Sequence, residues 1–230
     1  MERWDMNRMP AFADPSQQSP SDQALIHPTS APAFDGAPPI RVGVMASGNG
    51  SNFEALATAI RDRRINAEIA LLVVNNPGCG AQHRAERLGI PWQLFNHRDY
   101  DSRTALDRDL VDRFRTAEVE GIVMAGWMRI VTGELIKAFP DRLINIHPSL
   151  LPSFRGLDGV GQALKAGVRL AGCTVHLVTE DLDAGPILVQ AAVPVLETDD
   201  HDSLSKRIQL QEHRILPSGL MLAAQRWRQG

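Results

Sequence analysis

Cysteine is almost absent from this chain. Cys79 and Cys173 are the only two in 230 residues, they stand far apart, and no CxxC pair exists. That speaks against a disulfide framework or a cysteine-built zinc site and favours a reducing compartment. A basic surplus is also missing. The formal net charge is −3, with 24 Lys and Arg against 27 Asp and Glu, unlike a general nucleic-acid binder. The longest clean apolar run, "IALLVV", is far too short to cross a bilayer. The opening "MERWDMNRMP" lacks the apolar stretch of a signal peptide. A cytoplasmic protein with no membrane or nucleic-acid partner is the expectation. Familiar catalytic signatures are missing too. There is no GxSxG elbow for a serine hydrolase and no HExxH, and the seven histidines are scattered, so a catalytic metal is not expected.

What is present is ordinary for a globular chain: 43% apolar and 22% charged residues, with length for one domain or a little more. Residues 1–40 differ from the rest. The stretch "MPAFADPSQQSPSDQALIHPTSAPAFDGAPP" is rich in Pro, Ser, Ala and Asp without an apolar period. Such a composition buries too little surface to offset its ordering entropy, so a disordered leader is expected there.

From residue 41 to 230 one domain is expected, because strand-like and helix-like patterns alternate. "RVGVMAS", "AEIALLVVNN", "PWQLF", "EGIVMAG" and "RLINI" read as strands. "NFEALATAIRDRR", "GAQHRAERLG", "DSRTALDRDLVDRFRTA" and "TGELIKAF" lie between them as helices, the second closed by Gly89 and the third opened by Asp101 or Ser102. Strands that are apolar throughout and separated by helices imply a mostly parallel twisted sheet covered on both faces, a Rossmann-like α/β fold. After residue 171, "CTVHLVTE" and "PILVQAAVPV" flank the short "DLDAG" and suggest an antiparallel strand pair. A last helix, "HDSLSKRIQLQEHRILPSGLMLAAQRW", is expected to break near Pro217.

Two places carry chemistry. Between the first strand and first helix lies "SGNGSN", whose glycines allow close backbone approach and whose N–H groups meet the positive end of the helix dipole. A single phosphate suits Gly50, Ser51 and Asn52. A dinucleotide does not, since Phe53 stands where a third glycine would be, and the Walker lysine of an ATP site is missing. An ordinary tight turn that binds nothing remains the alternative. The second place is the set of strand ends that presents Asn145, His147 and Asp183, in loops stiffened by Pro148, Pro152 and Pro186. An amide can donate to an oxyanion, an imidazole moves protons near neutral pH, and a carboxylate orients the imidazole. Together they suit acyl transfer without a covalent intermediate, although each could merely cap a strand or shape a turn. His176 faces either the core or this site. Arg103 and Arg129 could each reach an anion or make surface salt bridges.

The order "SGNGSN", "AGWMRI", "NIHPSLLPSFRG", "TVHLVTEDLDAGPIL", "QLQEHRILP" resembles the phosphoribosylglycinamide formyltransferases of the wider formyltransferase superfamily, over roughly residues 41–220. The resemblance implies transfer of a formyl group from 10-formyltetrahydrofolate to the amine of glycinamide ribonucleotide in purine synthesis, without metal or ATP. It implies Asn145, His147 and Asp183 as catalytic groups with His176 in support. It implies Gly50, Ser51, Asn52, Gln209 and Glu212 at the ribonucleotide, and Arg103, Met128, Arg129 and Ile130 at the folate, with backbone near 179–183 against the pterin. Whether the chain is a monomer or a homodimer stays open. "SFRGLDGVGQAL" lacks histidines that some members carry, and the chain is expected to stop before the last strands of longer members. A formyltetrahydrofolate hydrolase would carry a regulatory domain ahead of the catalytic one, and the leader is too short and polar for that. A methionyl-tRNA formyltransferase would add a C-terminal domain and a basic face. A binding module that has lost catalysis would not need all three catalytic groups.

Overall fold

The computed structural model describes residues 24–32 and 36–229. Eight strands form one sheet: β1 (Leu25–His27), β2 (Ile40–Ala46), β3 (Ala67–Val74), β4 (Trp92–Leu94), β5 (Gly121–Met124), β6 (Leu143–His147), β7 (Leu170–Leu177) and β8 (Ile187–Pro194). Among the described residues six α-helices accompany them: α1 (Ser51–Arg61), α2 (Gly80–Leu88), α3 (Arg103–Thr116), α4 (Gly133–Ala138), α5 (Gly159–Ala166) and α6 (His201–Gln229). The strand order is β1-β8-β7-β6-β5-β2-β3-β4. Pairings from β4 across to β6 are parallel, whereas β6–β7, β7–β8 and β1–β8 are antiparallel.

The expected α/β architecture is present, and its core follows from the strand composition. Val42, Val44, Leu72, Val74, Val123 and Ile144 point to one face and pack with α1, α2, α5 and α6. Met45, Leu71, Val73, Ile122 and Leu143 point to the other, where Leu106, Leu110 and Phe114 of α3 and Leu135 of α4 cover them. Alternate residues of one strand thus serve opposite cores, which is why these strands read as unbroken apolar runs. Ser102 caps α3 by accepting a hydrogen bond from the Ala105 N–H at 3.1 Å. Gly89 closes α2 in the left-handed conformation. Among the described residues no helix is long and apolar enough to cross a membrane.

Two expectations are corrected. The disordered leader over residues 1–40 does not hold at Leu25–His27, which add an antiparallel strand to the sheet, with Leu25 opposite Ala192 and His27 opposite Gln190. The outer edge of β8 offers unpaired N–H and C=O groups, and Ile26 packs against the adjoining core. Residues 1–23 and 33–35 lie outside the described residues. The second correction concerns α6, which runs unbroken through Pro217. A proline inside a helix removes one backbone hydrogen bond, but Ile215, Leu216 and Leu220 around it are fully buried. Their packing holds the helix against the sheet on both sides of the proline.

Close approach of α6 to β7 depends on Gly219, where a Cβ would lie 2.6 Å from Val175 Cγ1. Helix propensity alone would favour alanine there by about 1 kcal/mol. The contact reverses that sign: Gly219→Ala is expected to lower the unfolding free energy by about 1–3 kcal/mol in urea titrations. An unchanged or higher midpoint would refute the close packing.

Candidate active site

The register between β6 and β7 builds the centre of the site. Asn145 lies directly opposite His176, and His147 lies opposite Thr174. Side chains opposite one another in an antiparallel pair share a face, and so do residues two apart on one strand. Asn145, His147, Thr174 and His176 therefore stand on one side of the sheet at the carboxyl end of β6.

His176 is 2% exposed, and its Nδ1 lies 2.8 Å from the Leu177 carbonyl oxygen. A carbonyl only accepts, so Nδ1 carries the proton and Nε2 keeps a free lone pair. Burial holds the ring's pKa below the usual histidine value, which keeps it neutral at neutral pH. Nε2 then accepts from the Asn145 Nδ2 amide at 3.2 Å. That contact orients the amide and leaves its second N–H without a hydrogen-bond partner among the described residues. Sequence alone left the direction of His176 open. The structure turns it toward Asn145.

Asp183 joins the group from the loop between β7 and β8. It is a non-glycine residue at φ 48, a strained conformation. The Gly156 N–H donates to its Oδ2 at 2.8 Å. Its carboxylate faces both imidazoles, 3.4 Å from His147 Nδ1 and 3.6 Å from His176 Nε2. The other nitrogen of His147, Nε2, lies 2.9 Å from the Phe154 carbonyl oxygen. All three members of the expected trio converge, with His147 and Asp183 buried.

The loop after His147 is tied down by groups that sequence reading passed over. Thr174 Oγ1 donates to the Ser149 carbonyl at 2.7 Å and accepts from the Leu151 N–H at 3.1 Å. Gln190 Nε2 donates to the Leu151 carbonyl at 2.9 Å and to Thr174 Oγ1 at 3.0 Å. The prolines therefore share the stiffening with a buried polar network. Period-two alternation from His176 to Thr174 was the available signal.

A cavity of about 500 Å³ opens over this centre, lined by Asn145, His147, His176, Asp183, Met128, Arg129, Ile130, Asn52, Glu212 and the 178–182 backbone segment, among others. Glu212 is buried on α6, which raises its pKa, and it accepts from Asn52 Nδ2 at 2.9 Å. Asn52 Oδ1 is buried without a partner, an acceptor available to a ligand. Gly50, at φ 76, precedes α1, which has no side-chain cap, so the Ser51 and Asn52 N–H groups open the helix free of one. Arg84 braces that turn by donating to the Asn49 carbonyl at 2.8 Å, and it also pairs with Glu54. Gly50, Ser51, Gln209 and Arg103 are not in the cavity wall, and Gln209 and Arg103 are exposed. A larger groove of about 670 Å³ between α3 and α4 brings together paired surface charges such as Arg108–Glu134, and no comparable cluster of buried polar groups. Among the described residues no group of three or more His, Cys, Asp or Glu is placed to hold a metal ion.

The depressed pKa of His176 gives a direct expectation. In the folded chain its ring stays neutral as pH falls through 6.5, while an unfolded chain takes up the proton, so this group withdraws stability on the acid side of 6.5. An NMR titration, with His176→Asn used to assign the resonance, should place its midpoint below 6.5. A midpoint at or above 6.5 would contradict the neutral tautomer. His147 and Asp183 are the titratable neighbours whose own transitions must be followed in the same spectra.

Comparison with known proteins follows the same lines. The family model described as formyl transferase matches residues 40–220. A phosphoribosylglycinamide formyltransferase of Bacillus subtilis is 43% identical over 178 residues, 77% of this chain and 91% of that protein. A trifunctional purine biosynthetic protein adenosine-3 of Drosophila pseudoobscura pseudoobscura is 47% identical over 186 residues, 80% of this chain. The chain spans only 14% of that longer protein's length. The crystal structure of glycinamide ribonucleotide transformylase 1 from Symbiobacterium toebii superposes with a TM-score of 0.80 at 44% identity, covering 82% of this chain and 89% of that one.

Proposed function

Because the chain belongs to the formyl transferase family, we propose that it transfers a formyl group from 10-formyltetrahydrofolate to the amine of glycinamide ribonucleotide, in the cytoplasm, as a step of purine synthesis. The observation that carries this reading is the Asn145 amide, held by neutral His176 with one N–H spare, beside a buried His147–Asp183 pair. Formyl transfer needs a donor for the oxygen that becomes negative when the amine adds to the formyl carbon, and a route for one proton.

In this mechanism the amine nitrogen bonds to the formyl carbon, and the spare Asn145 N–H donates to the oxyanion that forms. The carbon–N10 bond then breaks, and the proton lost by the amine ends on the N10 of tetrahydrofolate. His147 stabilises the oxyanion and helps pass that proton once its Nε2 turns from the Phe154 carbonyl to the substrate, while Asp183 supports it across 3.4 Å. Asp183 is itself held in place by the Gly156 N–H. The formyl group arrives already activated, so the reading assigns no metal and no ATP.

The two substrates are assigned to opposite ends of the cavity and reach past its wall at each end. Backbone N–H groups of Gly50, Ser51 and Asn52 at the uncapped start of α1 suit the phosphate. The free Asn52 Oδ1 and the Glu212 carboxylate are paired acceptors for sugar hydroxyls. Gln209, exposed three residues before Glu212 on α6, is assigned the outer edge of that end. At the other end, Met128 and Ile130 are 70% and 53% exposed and offer apolar contact to an aromatic system. Arg129 and Arg103 supply charge for the carboxylate tail of the folate, and backbone groups near 179–183 suit the edge of its pterin.

The test is to incubate the protein with 10-formyltetrahydrofolate and, in turn, glycinamide ribonucleotide, charged initiator tRNA or water alone. Transfer to the ribonucleotide only is expected. Tetrahydrofolate release at full rate without an amine would replace this reading with hydrolysis. His147→Ala and Asp183→Asn should each lose about three orders of magnitude or more in kcat with ribonucleotide binding retained. Ser51→Asp should raise KM for the ribonucleotide by charge repulsion, and an unchanged KM would remove the phosphate from the α1 turn.

A further inference from the structure

A buried carboxylate outside the mechanism lies beneath the 126–132 loop. Asp107 is 2% exposed, although it sits on the same face of α3 as Leu110, Val111 and Phe114, which fill the core. Its Oδ2 accepts from the Thr132 N–H at 2.5 Å. At the other end of the loop, the Met128 N–H donates to the buried Ser47 Oγ at 2.9 Å, and the Ser47 N–H donates to the Gly126 carbonyl at 3.0 Å. The loop between these two clamps carries Met128 and Ile130, two of the most exposed large apolar side chains in the described chain. Apolar side chains held out into water on a loop fastened at both ends are placed for something that comes to them. Burial raises the pKa of Asp107, while hydrogen bonds from Thr132 and the charges of Arg129 and Arg103 pull it down. Both guanidinium groups therefore lie within its electrostatic reach.

We propose that Asp107 is a positioning residue for the folate end of the site, setting the loop that presents Met128, Arg129 and Ile130. The inference rests on the functional reading above. Nothing in it requires Asp107 to touch a substrate. It acts through the Thr132 backbone N–H, whose buried hydrogen bond to this carboxyl is costly to leave unmade. The ribonucleotide end hangs from α1 and α6, whose buried residues pack in the core on the opposite face of the sheet from α3, so the effect of losing Asp107 should be confined to one substrate.

Three variants test this: Asp107→Ala, Asp107→Asn, and Leu110→Ala as a core control on the same helix. Kinetics are measured with each substrate varied in turn, and tetrahydrofolate affinity is measured by calorimetry. Asp107→Ala should raise KM for 10-formyltetrahydrofolate roughly tenfold to a hundredfold and weaken tetrahydrofolate binding to match. KM for the ribonucleotide should stay within about twofold. Asp107→Asn keeps an oxygen for the Thr132 N–H and should recover part of the loss. It also carries the test if the alanine variant does not fold. Leu110→Ala should lower the melting temperature while leaving both KM values in place. Parallel rises in both KM values, or unaltered tetrahydrofolate affinity in folded Asp107 variants, would overturn the role of Asp107 alone. Failure of the wild-type chain to bind tetrahydrofolate would overturn the functional reading and this inference with it. Wild-type binding of tetrahydrofolate without transfer to the ribonucleotide, alongside weakened binding in the variants, would sustain Asp107 and remove only the acceptor.

Discussion

The pairing register of β6 with β7 governs what the site can do. With Asn145 opposite His176 and His147 opposite Thr174, four polar side chains share one face of the sheet. A slip of one residue would turn all of β6 over and send Asn145 and His147 into the other core. That slip is opposed from both sides. Ile144 and Ile146 bury on the face away from the site, and the Leu177 and Val178 amides are satisfied at the pair's end by Pro186 and Leu143. The hydrophobic pattern of one strand thus sets the chemistry of the next residue along.

Electrostatics within the cavity depend on keeping some groups neutral. His176 is held neutral by burial, and only a neutral ring can accept from the Asn145 amide. A protonated His176 would present two donors, and the amide would lose its anchor or turn its oxygen toward the ring. Asp183 faces both imidazoles and accepts from the Gly156 N–H. The strained backbone at Asp183 is maintained by its surroundings. Gly185 packs so tightly that a Cβ there would lie 1.9 Å from the Leu177 carbonyl oxygen. The loop can reach the imidazoles only by pressing against the end of β7.

Much of this is legible in the sequence. The apolar runs of β2, β3, β5 and β6 could be read because both faces of these strands are buried, and Asn145 and His147 stood out as polar residues interrupting such a run. Asp183 was legible as a carboxylate in a short Gly- and Pro-containing loop. The strand at Leu25–His27 was not. Three residues carry no period, and their order comes from the open edge of β8 far along the chain. The passage of α6 through Pro217 was hidden for a related reason, since local propensity opposes it and tertiary packing decides. Thr174, Gln190, Ser47 and Asp107 were missed because a polar residue at an inward position looks the same in sequence whether it braces a loop or merely tolerates burial.

The edge strand β1 also bears on how the molecule comes to exist. Its partner residues 190–192 are made more than 160 residues later, with only α6 still to follow. During synthesis Leu25–His27 must wait unpaired while β2 to β7 take shape beside them. Once β2 to β8 have formed, residues 28–39 alone separate Leu25–His27 from β2, and three residues of pairing are a small return for ordering them. Were the strand absent, the flank of β8 would offer its unpaired N–H and C=O groups to any extended chain nearby. Cover for that edge comes from three residues at the rim of the sheet and not from the deep core.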